Sequence, residues 1–243
     1  FTGRPWPMQY DIQHRPSYAL ITAELNQSEQ LVAEAGAMVS HSDGIEIQTS
    51  ASGGVLGSLK RKAFGGESFF MNTFTANRPG HVTLAPPLPG DVIQYGLNQN
   101  TIYVQSGSFV AAEPNVEIDT KFGGGKTFFG GEGLFLLELT GTGSTFLSSY
   151  GAIQEKELDA GESYVVDTGH IVAFEGTTEF NVKKVGGLKS TLFSGEGLVC
   201  EFTGPGKVWL QTRSPDAFLS WLVPNLPGGN DGGGRDGGFS VNF

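Results

Sequence analysis

Apolar positions along this chain fall in short runs that alternate with polar residues, and glycine separates most runs from the next. Ile45-Glu46-Ile47, Val116-Glu117-Ile118 and Phe180-Asn181-Val182 alternate strictly, which predicts strands with one buried and one wet face. Denser apolar runs follow Gly-Glu pairs. Gly66-Glu67 opens Ser68 to Phe74, Gly131-Glu132 opens Leu134 to Leu139, and Gly195-Glu196 opens Leu198 to Phe202. The pairs lie 65 and 64 residues apart (66 to 131, 131 to 195). Each run is followed by a glycine turn (Gly80, Gly143, Gly206), read as a hairpin, and a second apolar stretch, Val82-Thr83-Leu84, Thr145-Phe146-Leu147 or Val208-Trp209-Leu210. Upstream, Gly36, Gly107 and Gly169 each stand five residues after a strand start, at Leu31, Ile102 and Tyr164. These three and Gly66, Gly131 and Gly195 read as structural turn glycines. A fixed period of this length signals a repeated supersecondary unit.

The predicted fold is therefore all-β: internally repeated sandwich-like or β-helix-like sheets built from three units of about 65 residues. The units are placed at 8–86, 87–150 and 151–226, forming one domain over 8–226. One unit alone holds a thin core, so the three are expected to pack on one another. A single short helix is predicted at Pro215–Leu222, with Ser214 as N-cap and proline in the first turn, ending before Pro224. Residues 227–243 form a glycine-rich tail. Its end, Phe239-Ser240-Val241-Asn242-Phe243, alternates like a strand able to add to a sheet edge.

Composition supports the β reading: 37 of 243 residues are glycine, about twice the usual share. The net charge of −10 opposes nucleic acid as the main ligand, because phosphate binding rests on a basic face. Lys60-Arg61-Lys62 is a small basic cluster, read as a solvated turn. With Cys200 as the one cysteine there is no intramolecular disulfide and no thiolate metal cluster. Cys200 lies within an apolar run and reads as a small buried hydrophobe. No run of 18 apolar residues spans a membrane as a helix, and the expected location is cytoplasmic.

The candidate chemistry is the repeated Lys…Gly-Glu pattern: Lys60, Lys126 and Lys189, with Glu67, Glu132 and Glu196 six or seven residues later. Convergence of three carboxylates near an axis could hold a cation or raise a pKa for acid–base work. Alternatively, each Glu satisfies turn amides or pairs with its lysine, and threefold repetition favours that structural role. No catalytic residue, metal ligand set or cofactor is assigned. Gly123-Gly124-Gly125-Lys126-Thr127 lacks the spacing and the following helix of a phosphate loop. The histidines, His14, His41, His81 and His170, form no metal-binding motif, and no Gly-x-Ser-x-Gly occurs.

Phe64-Gly65-Gly66-Glu67-Ser68-Phe69-Phe70-Met71-Asn72-Thr73-Phe74-Thr75-Ala76, with Gly80, Leu84-Ala85-Pro86 and the later Gly131-Glu132-Gly133 and Gly195-Glu196-Gly197, resembles one family. It is the family named for altered inheritance of mitochondria in fungi, with many bacterial and archaeal relatives, and the resemblance covers residues 8 to about 226. It implies a fold like the trp RNA-binding attenuation protein, assembly into an oligomer with a trimer favoured, and a prokaryotic source. It brings no catalytic residues, because the family has no established molecular function. Three readings result: a non-enzymatic self-assembling scaffold or interaction module; a small-ligand or metal-binding protein or enzyme using the Gly-Glu sites; and RNA binding by fold analogy, which the acidic charge opposes.

Overall fold

The structure, a computed structural model, describes residues 8–50, 70–121, 135–184 and 198–226. Eighteen strands and one α-helix lie among them. After β1 (Tyr10–Gln13), the first segment holds β2 (Leu20–Leu25), β3 (Gln30–Glu34), β4 (Met38–His41), β5 (Ile45–Ser50), β6 (Met71–Ala76) and β7 (Gly80–Leu84). The second holds β8 (Val92–Asn98), β9 (Ile102–Gln105), β10 (Phe109–Ala112), β11 (Val116–Lys121) and the long β12 (Leu136–Ser148). The third holds β13 (Ile153–Leu158), β14 (Ser163–Asp167), β15 (Ile171–Glu175), β16 (Glu179–Lys184), β17 (Leu198–Thr203) and β18 (Gly206–Gln211). The expected all-β architecture is thus present.

One pairing scheme recurs along the chain. In the first segment β2 and β4 flank β7, while β3 and β5 flank β6. In the third, β13 and β15 flank β18, while β14 and β16 flank β17. In the middle segment β12 takes both places: its first part lies between β9 and β11, and its second between β8 and β10.

Neighbouring segments are joined edge to edge. β10 pairs with β3, and β15 pairs with β9, both antiparallel. Each joint completes six strands in a row, β8-β12-β10-β3-β6-β5 and β13-β18-β15-β9-β12-β11. Two half-sheets remain: β2-β7-β4, with β1 on its far side, and β14-β17-β16.

The core follows this plan. One buried cluster combines Leu25, Val82 and Leu84 from β2 and β7 with Leu31, Phe74 and Ile45 from β3, β6 and β5. Both half-sheets of one segment therefore feed one interior, as in a small sandwich. Similar clusters form around Ile102, Phe109 and Leu139, and around Phe174, Cys200 and Phe202. Five phenylalanines, Phe74, Phe109, Phe146, Phe174 and Phe202, are among the largest fully buried side chains. Burying each contributes about 1.5–3 kcal/mol.

The helix α1 (Pro215–Leu222) forms where the sequence signals place it. Ser214 Oγ accepts from Ala217 N at 3.4 Å, Pro215 stands in the first turn, and a 3₁₀ turn at Val223–Asn225 follows.

Three local features refine this plan. Gly36 sits in a left-handed turn (φ +95°), which favours glycine, while Gly107 and Gly169 lie in short 3₁₀ turns without positive φ. Gly169 is instead constrained by Ser214 Oγ, 2.7 Å from where a Cβ would stand. Secondly, Gly143 is no hairpin turn: β12 runs through it, at φ +148°. Thirdly, the third alternating strand is registered two residues earlier than its apolar pattern suggests. Thr178 N bonds Glu175 O as Ile45 N bonds Ser42 O and Val116 N bonds Glu113 O. Phe180 then faces Phe202 as Ile47 faces Phe74 and Ile118 faces Leu139. A buried threonine holds a place that isoleucine and valine hold elsewhere, which hid the register.

Candidate functional site

Lys60, Lys126, Lys189, Glu67, Glu132 and Glu196 lie outside the described residues, as do Gly66, Gly131, Gly195 and the tail 227–243. The strands that lead to and from the three Lys…Gly-Glu segments are described. They are the hairpins β5–β6, β11–β12 and β16–β17, whose last pairs are Ser50 opposite Met71, Lys121 opposite Leu136 and Lys184 opposite Leu198. Each segment therefore leaves and re-enters at a corresponding place in the pairing scheme.

A different threefold polar device lies within the described chain, and the sequence reading missed it. Directly after β4 and β10, and as the last residue of β15, stand Ser42, Glu113 and Glu175. Ser42 Oγ accepts from His81 N at 3.0 Å, Glu113 Oε2 from Ser144 N at 3.0 Å, and Glu175 Oε2 from Lys207 N at 3.0 Å. Those amides belong to the residues after Gly80, Gly143 and Gly206. A Cβ on Gly143 would stand 2.6 Å from Glu113 Oε2, so glycine lets the carboxylate approach. Glu113 is buried, and its Oε1 accepts from Met8 N at 3.2 Å. Glu175 Oε1 accepts from the Tyr95 hydroxyl at 3.2 Å, which itself accepts from Asn100 Nδ2 at 2.7 Å. Burial, and then the Glu175 charge, push the Tyr95 hydroxyl up to about 12. Its ring meets Trp209 edge-on at 5.3 Å. These carboxylates are engaged with amides and a phenol, a stabilising arrangement for buried charge. The signal available in sequence was the Glu that closes the apolar runs of β10 and β15; β4, whose apolar run already ends at Val39, gave no such signal for Ser42.

Other polar contacts are structural. Arg15 grips buried Asp91 with two bonds of 2.7 and 3.0 Å, which raises the guanidinium pKa and ties the region after β1 to the start of β8. Lys156–Glu162, Lys183–Glu201 and Lys207–Glu155 are surface pairs of 2.6–2.7 Å, worth little individually. Burial pushes the Cys200 thiol up to about 12, well away from the reactive thiolate range. Among the described residues no group of three His, Cys, Asp or Glu is placed to hold a metal ion, and no helix is long and apolar enough to cross a membrane.

The remaining distinctive surface is made of sheet edges. Among the described residues, β4 pairs only with β7, and β14 only with β17. β4 exposes all four residues, including Met38 at 39% and Val39 at 56%, and β14 exposes Val165 at 54%. The corresponding strand β10 is buried throughout. An open strand edge offers a row of amides and carbonyls to another chain.

The comparisons agree on family and fold. The chain is 26% identical over 228 residues to an uncharacterised protein of Streptococcus pyogenes serotype M6, covering 90% of this chain and 92% of that one. A crystal structure of a Streptococcus pyogenes protein, 24% identical, superposes with a TM-score of 0.76 over 90% of this chain and 100% of that one. At that identity the likeness shows the fold alone, and neither match bears on the oligomer, the RNA analogy or the Gly-Glu sites. Residues 10–213 match the family described as Mitochondrial biogenesis AIM24, so the chain belongs to that family.

Proposed function

We propose that this chain is a non-enzymatic, self-assembling β-protein that acts through its surfaces as a scaffold or interaction module, with a trimer as the favoured assembly. The observation that carries the reading is the strand order. Among the described residues, the first and third segments each keep a half-sheet with an open edge, while the other half-sheets are joined in pairs. The polar groups that recur within the described segments hold backbone amides, which supports architecture over chemistry for those positions. The net charge of −10 argues against RNA as the partner.

Light scattering of the intact protein at micromolar concentration tests the reading. A mass of three times the 25.8 kDa chain is expected. A monomer across the concentration range would sink it. A ligand or metal site built on Glu67, Glu132 and Glu196 predicts instead that a Glu→Gln change at one of them abolishes binding without altering the mass.

A further inference from the structure

We infer that β4 of one copy pairs antiparallel with β14 of a second copy, with Ser40 opposite Val166, His41 opposite Val165 and Ser42 opposite Tyr164. This rests on the self-assembly reading above and names its partner surface and register.

The argument starts from the two joints already inside the chain. At the first, Ala111 faces Ala33 and Ala112 faces Val32. At the second, Ala173 faces Val104, Phe174 faces Tyr103 and Glu175 faces Ile102. The residues at the open ends can be matched to these. Ser40, Ala111 and Ala173 each follow the same bulge and face Thr83, Phe146 and Trp209, all three residues beyond Gly80, Gly143 and Gly206. On the other side Ala33, Val104 and Val166 each precede Gly36, Gly107 and Gly169 by three residues, and they face Asn72, Leu137 and Cys200. Continuing the joint beyond the chain end fixes the register without further choice.

The two surfaces fit each other chemically. Each is the half that the other lacks: β2-β7-β4 joined to β14-β17-β16 makes a third six-stranded row like the two within the chain. Ser42 N bonds His81 O within the half-sheet, so strand alternation turns the amide and carbonyl of His41 toward the open side. The exposed apolar groups Met38, Val39 and Val165 lie on these two strands, and pairing would cover them. β4 and β14 do not pair within this chain, so the partner is another copy. The contact uses different patches on the two copies, so it repeats head to tail until it closes.

Disulfide trapping tests the register. Chains carrying Ser40→Cys and Val166→Cys, with different tags, are co-expressed in a Cys200→Ala background and mildly oxidised, because Cys200 stands opposite Val166 in the β14–β17 pair and would otherwise capture the new thiol within one chain. A covalent mixed dimer is expected from the pair and from neither variant alone. Ser42→Cys with Val166→Cys, slipped by two residues, should give at least ~10-fold less. An oligomer that resists the Ser40–Val166 link, or one in which Val241→Cys captures Ser40→Cys instead, overturns this pairing and leaves self-assembly standing. A monomer by light scattering removes both. His41→Pro, which deletes the outward amide, should dissociate the assembly while far-UV circular dichroism stays unchanged. Should His41→Pro fail to fold, Val165→Lys on the opposite edge is expected to dissociate it, and an intact oligomer there counts against the proposal.

Discussion

β10 and β4 occupy the same place in the pairing scheme, each edging its half-sheet beside the stretch that follows Gly143 in β12 or Gly80 in β7. β10 reads Phe109-Val110-Ala111-Ala112 and is buried throughout, because β3 covers its other side. β4 reads Met38-Val39-Ser40-His41 and is exposed throughout. The backbone is not the difference: both strands carry the same bulge, after Met38 and after Phe109, and β15 carries it after Ile171. The strands differ at three positions, and the difference in polarity lies at two of them, Ser40 and His41, where β10 has alanines. Polar side chains let an edge stay solvated while unpaired, whereas Met38 and Val39 keep an apolar surface available for pairing. Burial of a strand here is therefore a property of the joint.

The sharpest test places the same charge at both positions. Ala111→Asp puts a carboxylate into a sealed joint, where desolvation costs several kcal/mol, comparable with the whole stability of a domain, about 5–15 kcal/mol. Loss of the cooperative unfolding transition, or of soluble protein, is expected. Ser40→Asp puts the same group on an open edge. Its unfolding midpoint, measured on dissociated protein, should move by no more than about 0.5 kcal/mol, while the assembly weakens. Equal damage from both would show that β4 is already buried by something within the chain.

The next effect concerns the residues that close these strands. Glu113→Ala removes the acceptor of Ser144 N and Met8 N in a buried site, so a loss of about 1–3 kcal/mol is expected by urea unfolding. Ser42→Ala removes the corresponding acceptor of His81 N where water can replace it, and should cost less than about 1 kcal/mol. A larger loss at Ser42 would mean that the β4 end is shielded in the dissociated chain.

The sequence made some of this visible, and physics explains which parts. Helix α1 was legible because its signals are local: Ser214 caps, Pro215 starts and Pro224 lies just past its end. The strand content was legible because alternation at Ile45-Glu46-Ile47 and Val116-Glu117-Ile118 reports a single buried face. The third such strand was misregistered because Thr178, although polar, is buried at the place of Ile45 and Val116. The fusion of two strands into β12 was hidden because Gly143 read as a turn, whereas a continuous strand runs through it, with positive φ at Gly141 and Gly143. The open edges left a trace in the Ser40-His41 and Ala111-Ala112 difference. That trace gains meaning only once β3 is known to cover β10, a contact between residues about 80 apart in the chain. The Gly-Glu pairs, the strongest sequence signal, lie outside the described residues, so their role rests on experiment.

The smallest predicted effect compares a joined sheet with an end half-sheet through alkaline titration. Tyr95 lies in β8 of one joined row and meets Glu175 of β15 in the other, and Cys200 lies in β17 of the end half-sheet. Burial raises the Tyr95 hydroxyl from 10.0 to about 12, helped by the Glu175 charge, and raises the Cys200 thiol from 9.0 to about 12. In both cases the unfolded chain releases its proton first. The contribution is present in full below the unfolded value and fades as pH rises toward the folded one. Stability should therefore start to fall near pH 9 through Cys200 and near pH 10 through Tyr95. Tyr95 is partly open to solvent, so its share is limited to about 1 kcal/mol. Urea midpoints measured from pH 8 to 11 should show a shallower alkaline decline in Tyr95→Phe than in the parent chain. Cys200→Ala should remove the earlier onset and leave the later one. An unchanged profile in Tyr95→Phe would mean that the hydroxyl is freely solvated, and that its contact with Glu175 does not tie β8 to β15.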